Sequence, residues 1–173
     1  MLRGEMLMKG SGTAVLAQAS LNEAHTAPSV AEAIETRFGK VTIQRQNPIF
    51  FPNGLLGLPD KLQFCLSNLP SEKMARFKLL QSLDDLQLSF ITLPVDLDNP
   101  IIARADLEQA AKDLDVAVES MAILLVVSVH REPSGVRLSV NARAPILLNS
   151  AKRLACQYVF ASSKYEIRHM ISL

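Results

Sequence analysis

Met121-Ala122-Ile123-Leu124-Leu125-Val126-Val127-Ser128-Val129 is the stretch that decides the fold. It is nearly all apolar and rich in β-branched residues, which suit a pleated strand better than a helix. So continuous an apolar run needs cover on both faces. It passes through Ser128 and His130 into Glu132-Pro133-Ser134-Gly135, a composition that marks a turn. Beyond that turn Val136, Leu138 and Val140 alternate with Arg137, Ser139 and Asn141, the period of a strand with one buried side. Ile146 to Leu148 and Leu154 to Phe160 read as further strands.

Upstream the same logic holds. Ile34 to Phe38 and Val41 to Ile43 alternate on either side of Gly39, a hairpin signal. Ile49-Phe50-Phe51 is a short buried run that stops at Pro52-Asn53-Gly54, where proline presets the first turn angle and Asn or Gly accepts positive φ. Leu62 to Ser67 is another strand, and Phe77 to Leu80 pairs with Leu88 to Leu93 across Asp84-Asp85. A single helix is legible: Asp106 fits an N-cap with Gln109 at the capping-box position, and Leu107, Ala110, Ala111 and Leu114 fall on one face. Many short strands with one inserted helix predict a mainly β chain, a single antiparallel domain that closes into a barrel-like form or a sandwich.

Residues 1–33 are rich in Ala, Ser, Gly and Thr and offer few large apolar side chains to offset ordering entropy. They are expected to form a flexible arm ahead of a β domain over 34–173, with at most a transient helix from Val15 to Glu23. Gly10, Ser11, Gly12 and Thr13 interrupt the apolar core that a secretory signal needs. No apolar run approaches the length that crosses a bilayer.

A formal net charge of +1 favours neither nucleic acid nor an anionic membrane as partner. The charge is uneven, however. Asp84 to Glu119 holds nine acidic residues against Arg104 and Lys112, and the segment from Lys152 onward is basic. Such patches are commonly just solvated surface; the functional reading is an acidic face that meets a basic protein. Cys65 and Cys156 each lie in an apolar stretch and make no disulfide framework, so they read as reduced core thiols in a cytoplasmic protein.

The residues give little support to catalysis. His25, His130 and His169 have no second ligand at zinc-site spacing. The chain lacks a Gly-x-Ser-x-Gly elbow, and its glycines do not make a phosphate cradle. Asp84-Asp85 is the one carboxylate pair in a turn, where both residue types belong anyway. The phenylalanines sit in apolar runs rather than interleaved with basic residues, so direct RNA binding is not expected. No metal or cofactor is called for. Two rival readings keep concrete tests: a dry internal cavity would indicate a small-ligand barrel, and a nucleophile beside His130 or His169 would indicate a hydrolase.

Three blocks carry a family resemblance. Phe51-Pro52-Asn53-Gly54-Leu55-Leu56-Gly57-Leu58 is similar to a Phe-Pro-Glu-Gly-Leu-x-Gly-Phe segment. Leu80-Gln81-Ser82, followed by Leu88-Ser89-Phe90, resembles a Leu-Gln-Ser block and its next strand. Val140-Asn141-Ala142-Arg143-Ala144-Pro145-Ile146-Leu147-Leu148-Asn149 looks like Asn-Leu-Lys-Ala-Pro-Ile-x-Ile-Asn. A strand with Gln157 and the ending Tyr165-Glu166-Ile167-Arg168-His169 complete the order. On these residues the chain resembles the FliW family of flagellar assembly factors. It departs from the pattern at Asn53, Leu58 and Lys78, and in the loop Val95 to Pro100.

The resemblance implies a cytoplasmic, non-enzymatic protein with two partners, flagellin and the RNA-binding translational repressor CsrA. Holding CsrA relieves repression of flagellin translation, and flagellin competes for the same protein. A narrower alternative is a flagellin chaperone without CsrA regulation. The residues expected at partner contacts are Gln81, Asn141 and Arg143 from the matching blocks and, on charge alone, Asp84, Asp85, Asp96 and Asp98. Gln81, Asn141 and Arg143 have structural hydrogen bonding as the competing role.

Overall fold

The computed structural model describes residues 31–172; residues 1–30 of the expected arm, with its helix and His25, lie outside the described residues, and Glu32 and Ala33 at the end of that arm belong to the first strand. The chain forms β1 (Glu32–Thr36), β2 (Gly39–Ile43), β3 (Ile49–Phe50), β4 (Gln63–Asn68), β5 (Lys78–Ser82), β6 (Ser89–Val95), α1 (Arg104–Asp113), β7 (Met121–Glu132), β8 (Gly135–Val140), β9 (Ile146–Asn149), β10 (Leu154–Gln157) and β11 (His169–Ile171). It is mainly β, as the alternation predicts.

The sheet closes on itself. Neighbour by neighbour, β7, β6, β5, β4, β3, β10 and β9 form a ring, because β9 pairs back onto β7. The 12-residue strand β7 is shared. Its start, Met121 to Leu124, pairs with β9, while Val127 to Glu132 pairs with β8, which carries β11 at the edge. One pairing departs from an all-antiparallel sheet. β3 and β10 run parallel and meet at a single register position, Leu154 opposite Phe50. Arg153 secures this seam: its guanidinium donates to the carbonyls of Asn47 and Pro48, and its own carbonyl accepts from Phe50 N–H.

Period-2 alternation sorts the side chains into an inside and an outside. Phe51, Phe64, Leu80, Leu124, Ile146 and Leu148 fill the ring's interior. Phe51 and Phe64 meet edge to face there, with ring centroids 4.9 Å apart. The opposite faces of β6, β7 and β9 contribute Ile91, Leu93, Ile123, Leu125 and Leu147 to a second core under α1 and the C-terminal Phe160 and Tyr165. The β1–β2 hairpin covers Cys65 and Leu79 with Ile34, Val41 and Ile43. The run at β7 is thus apolar on both faces because one lines the ring and the other lies under the outer core.

Two expectations need correction. The helix does not begin at Asp106: Ala103 occupies the N-cap position, and no side chain caps it. The approach is organised upstream instead. Asn99 Oδ1 accepts from the N–H groups of Ile101 and Ile102, and Ala103 N–H donates to the Tyr165 hydroxyl. Asp106 sits in the first turn, where an acid still favours the helix dipole, and it binds Lys164 Nζ at 2.7 Å and the Tyr165 hydroxyl. Gln109 turns away to donate to Asp113. The strand expected from Leu154 to Phe160 stops at Gln157. Beyond it the N–H groups of Tyr158 and Phe160 bond Pro145 and Arg143 carbonyls in an irregular continuation.

Candidate partner-binding surfaces

The acidic stretch does not form one patch. Asp84 and Asp85 lie in the turn before β6, while Asp96 and Asp98 lie just after it. Seven residues of strand at about 3.3 Å each separate the two groups by roughly 20 Å. The first group is largely committed to the fold. Asp84 Oδ2 accepts from the N–H groups of Leu62 and Gln63 at 2.7 and 2.8 Å, pinning the turn to the start of β4. Asp85 Oδ1 accepts from Gln87 N–H. Lys61 sits against this group, its pKa raised by its hydrogen bond to Asp60 and further by the carboxylates of Asp85 and Asp84. The second group is open. Asp96 and Asp98 are exposed, and Asp98 pairs with Arg104 at 3.0 Å on the surface.

Gln81 is wholly buried. Its Nε2 donates to the carbonyls of Ser82, Leu86 and Leu88, so it holds the β5–β6 turn from beneath. Asn141 Oδ1 accepts from Ala144 N–H, closing the turn between β8 and β9. Arg143 is half-buried in that turn. These polar residues thus set the shape of the surface while contributing unequal amounts of it.

The first and third blocks, far apart in sequence, meet through a residue outside both. Gln157 Oε1 accepts from Leu56 N–H at 3.0 Å, and its Nε2 donates to the Ala144 carbonyl at 3.2 Å. Gly54 makes the first turn possible. Its φ is +64°, and a Cβ there would lie 2.2 Å from the Leu58 carbonyl oxygen. At the tip Leu56 is 60% exposed, and Val159 beyond Gln157 is 49% exposed. Apolar side chains held in solvent on a hydrogen-bonded support suit a protein contact. Sequence reasoning missed both. The signal of Leu56 is an apolar residue inside a turn segment, which also describes Leu55, a core residue, and Val159 reads from sequence as part of a strand.

The ring interior is packed with Phe, Leu and Ile side chains. A surface pocket of about 220 Å³ does lie where Leu114, Val116, Met121 and Cys156 meet Pro52 and Lys152. A nucleophile does stand beside His130: its Nε2 is 2.7 Å from Ser139 Oγ. Ser139 has no exposed surface, however, so a substrate carbonyl cannot approach it, and the pair reads as a hydrogen bond between strands. Burial pushes both cysteine thiols up from their ordinary pKa, which suits inert thiols. Among the described residues no group of three or more His, Cys, Asp or Glu is arranged to hold a metal. No helix there is long and apolar enough to cross a membrane.

Comparison with known proteins agrees with this architecture. The family model described as FliW protein matches residues 32–171. The flagellar assembly factor FliW of Syntrophus aciditrophicus (strain SB) is 32% identical over 137 residues, 79% of this chain and 84% of that protein. The one from Geotalea uraniireducens (strain Rf4) is 35% identical over 78% and 80% of the two chains. The Bacillus pumilus (strain SAFR-032) factor is 31% identical over 81% and 96%. A crystal structure of the flagellar assembly factor FliW superposes with a TM-score of 0.58 over 80% of this chain and 96% of that one, at 23% identity, a likeness of fold.

Proposed function

This chain belongs to the FliW family of flagellar assembly factors, and from that premise we propose that it is a cytoplasmic partner switch that binds flagellin and the translational repressor CsrA. Holding CsrA relieves repression of flagellin translation; flagellin, as it accumulates, takes CsrA's place. The observation that supports a protein-binding role most directly is that Leu56 stands exposed on the turn that Gln157 bridges, with Val159 exposed just beyond Gln157. Gln81 and Asn141 serve the contact by fixing turns, and Arg143 offers its half-buried side chain from the Asn141 turn.

A switch of this kind works only if the two affinities are comparable, so that the concentration of flagellin decides occupancy, since exclusion carries no information when one partner always wins. CsrA is the basic partner in this reading. Asp96 and Asp98 are its contact, aided by Asp84 and Asp85 at the other end of β6. Charge guides such encounters chiefly at low salt.

Calorimetry of the full chain with flagellin and CsrA from the same organism, separately and in competition, tests the reading. Mutual exclusion is the expected result; binding of flagellin alone would reduce the role to a chaperone, and binding of neither would end the proposal. Reversing Asp96 and Asp98 to Lys should weaken CsrA binding by about tenfold at low salt and much less at high salt. An unchanged affinity at low salt would remove the acidic contact from the scheme.

A further inference from the structure

The tip of the β1–β2 hairpin overhangs β6 and β7 and leaves a groove of about 790 Å³. Its floor is apolar. Ile91 and Val127 are buried with their side chains toward it, and Val129 is 47% exposed. Val127, Val129 and Arg131 alternate along β7 and so share one face. Phe38 and Arg37 form the opposite wall. Arg37 is held in place, because its Nη2 donates to the Ser89 carbonyl at 2.9 Å and its guanidinium lies 4.7 Å from the Phe38 ring centroid. A guanidinium has five N–H donors, so most of Arg37's capacity remains unspent. Arg131 is exposed and, among the described residues, makes no ion pair. No acidic residue lines the groove.

Two uncompensated cations over an apolar floor restrict what can cover them. A purely apolar occupant would strip water from both guanidiniums and return nothing, and a basic one would be repelled. A carboxylate returns charge-assisted, bidentate hydrogen bonds. We propose that this groove docks an apolar segment of a partner protein that carries a carboxylate, seating its aliphatic side chains on Val127 and Val129 and its carboxylate against Arg37 and Arg131. The inference rests on reading the chain as a protein-binding factor. It adds a site whose sign is opposite to that of Asp96 and Asp98.

The test uses the full chain with methyl-labelled Ile, Leu and Val, titrated by NMR with three synthetic peptides. The peptides share length and Leu spacing and differ only in carrying Glu, Gln or Lys between the leucines. The Glu peptide should move the Ile91, Val127 and Val129 methyl signals and bind about tenfold tighter than the Gln peptide. Arg131→Glu, an exposed substitution that should leave the melting temperature unchanged, should reverse the preference between the Glu and Lys peptides. Equal binding of all three, no binding, or shifts confined to other methyls would overturn the proposal. So would a doubled mass by light scattering with those methyls already shielded, since a second copy would then fill the groove. Failure of the peptides alongside intact flagellin or CsrA binding would remove only the groove; loss of both proteins with the peptide preference intact would remove only the functional reading.

Discussion

Gly54 illustrates how much a single residue decides. Its positive φ and the Leu58 carbonyl 2.2 Å from a would-be Cβ make any side chain both strained and overpacked. Gly54→Ala should cost about 2–4 kcal/mol, the left-handed penalty plus the clash, measured by chemical denaturation. Gly57 lies nearby with a similar φ of +80° but with nothing within 4 Å of where a Cβ would stand, so Gly57→Ala should cost only the conformational part, about 1 kcal/mol. The sequence marks both as turn glycines and cannot rank them, because the difference lies in which carbonyl comes back over the turn. Gln81 makes the same point. Its block offers a partner contact or a structural hydrogen bond, and the chain takes the second course, burying it under three carbonyls.

The helix depends on a side-chain network from the C-terminal segment. Asp106 lies below its ordinary pKa because Lys164, and then Tyr165, hydrogen-bond to its carboxylate. A carboxylate with a folded pKa below its unfolded one binds fewer protons when folded, so its contribution is complete above about pH 4 and fades as the pH falls through the folded value. Asp113, lowered by Tyr158 and then Gln109, acts in the same direction. Asp106→Asn should therefore destabilise the protein at neutral pH and flatten its loss of stability in acid, as followed by thermal melts between about pH 2 and 7. The element itself was readable from the spacing of Leu107, Ala110 and Ala111. Its start was not, because the partner of Asp106 lies 58 residues away at Lys164 and no local rule reports so distant a contact. The strands were legible for the converse reason: alternation is local, and β7 declared its two covered faces by composition alone. The parallel seam between β3 and β10 left no such trace.

At the scale of the molecule that seam is the weak link of the ring. Most neighbouring strands exchange several register pairs, but β3 and β10 share one, and the Arg153 guanidinium supplies much of the remaining connection. Arg153→Ala should open the barrel there first. Native-state hydrogen exchange should rise at Phe50 and in β10 while β6 and β7 stay protected; a uniform rise across the ring would show that the barrel opens as one unit. The same placement bears on synthesis. Arg153 meets Pro48 across 105 residues of chain. At about 5–20 residues per second, the nascent β3 waits roughly 5–20 s for the strand that closes it. During that interval the apolar interior of a half-made ring is open to whatever else is in the cell, and the chain's first exposure to misassociation comes before it has ever met a partner.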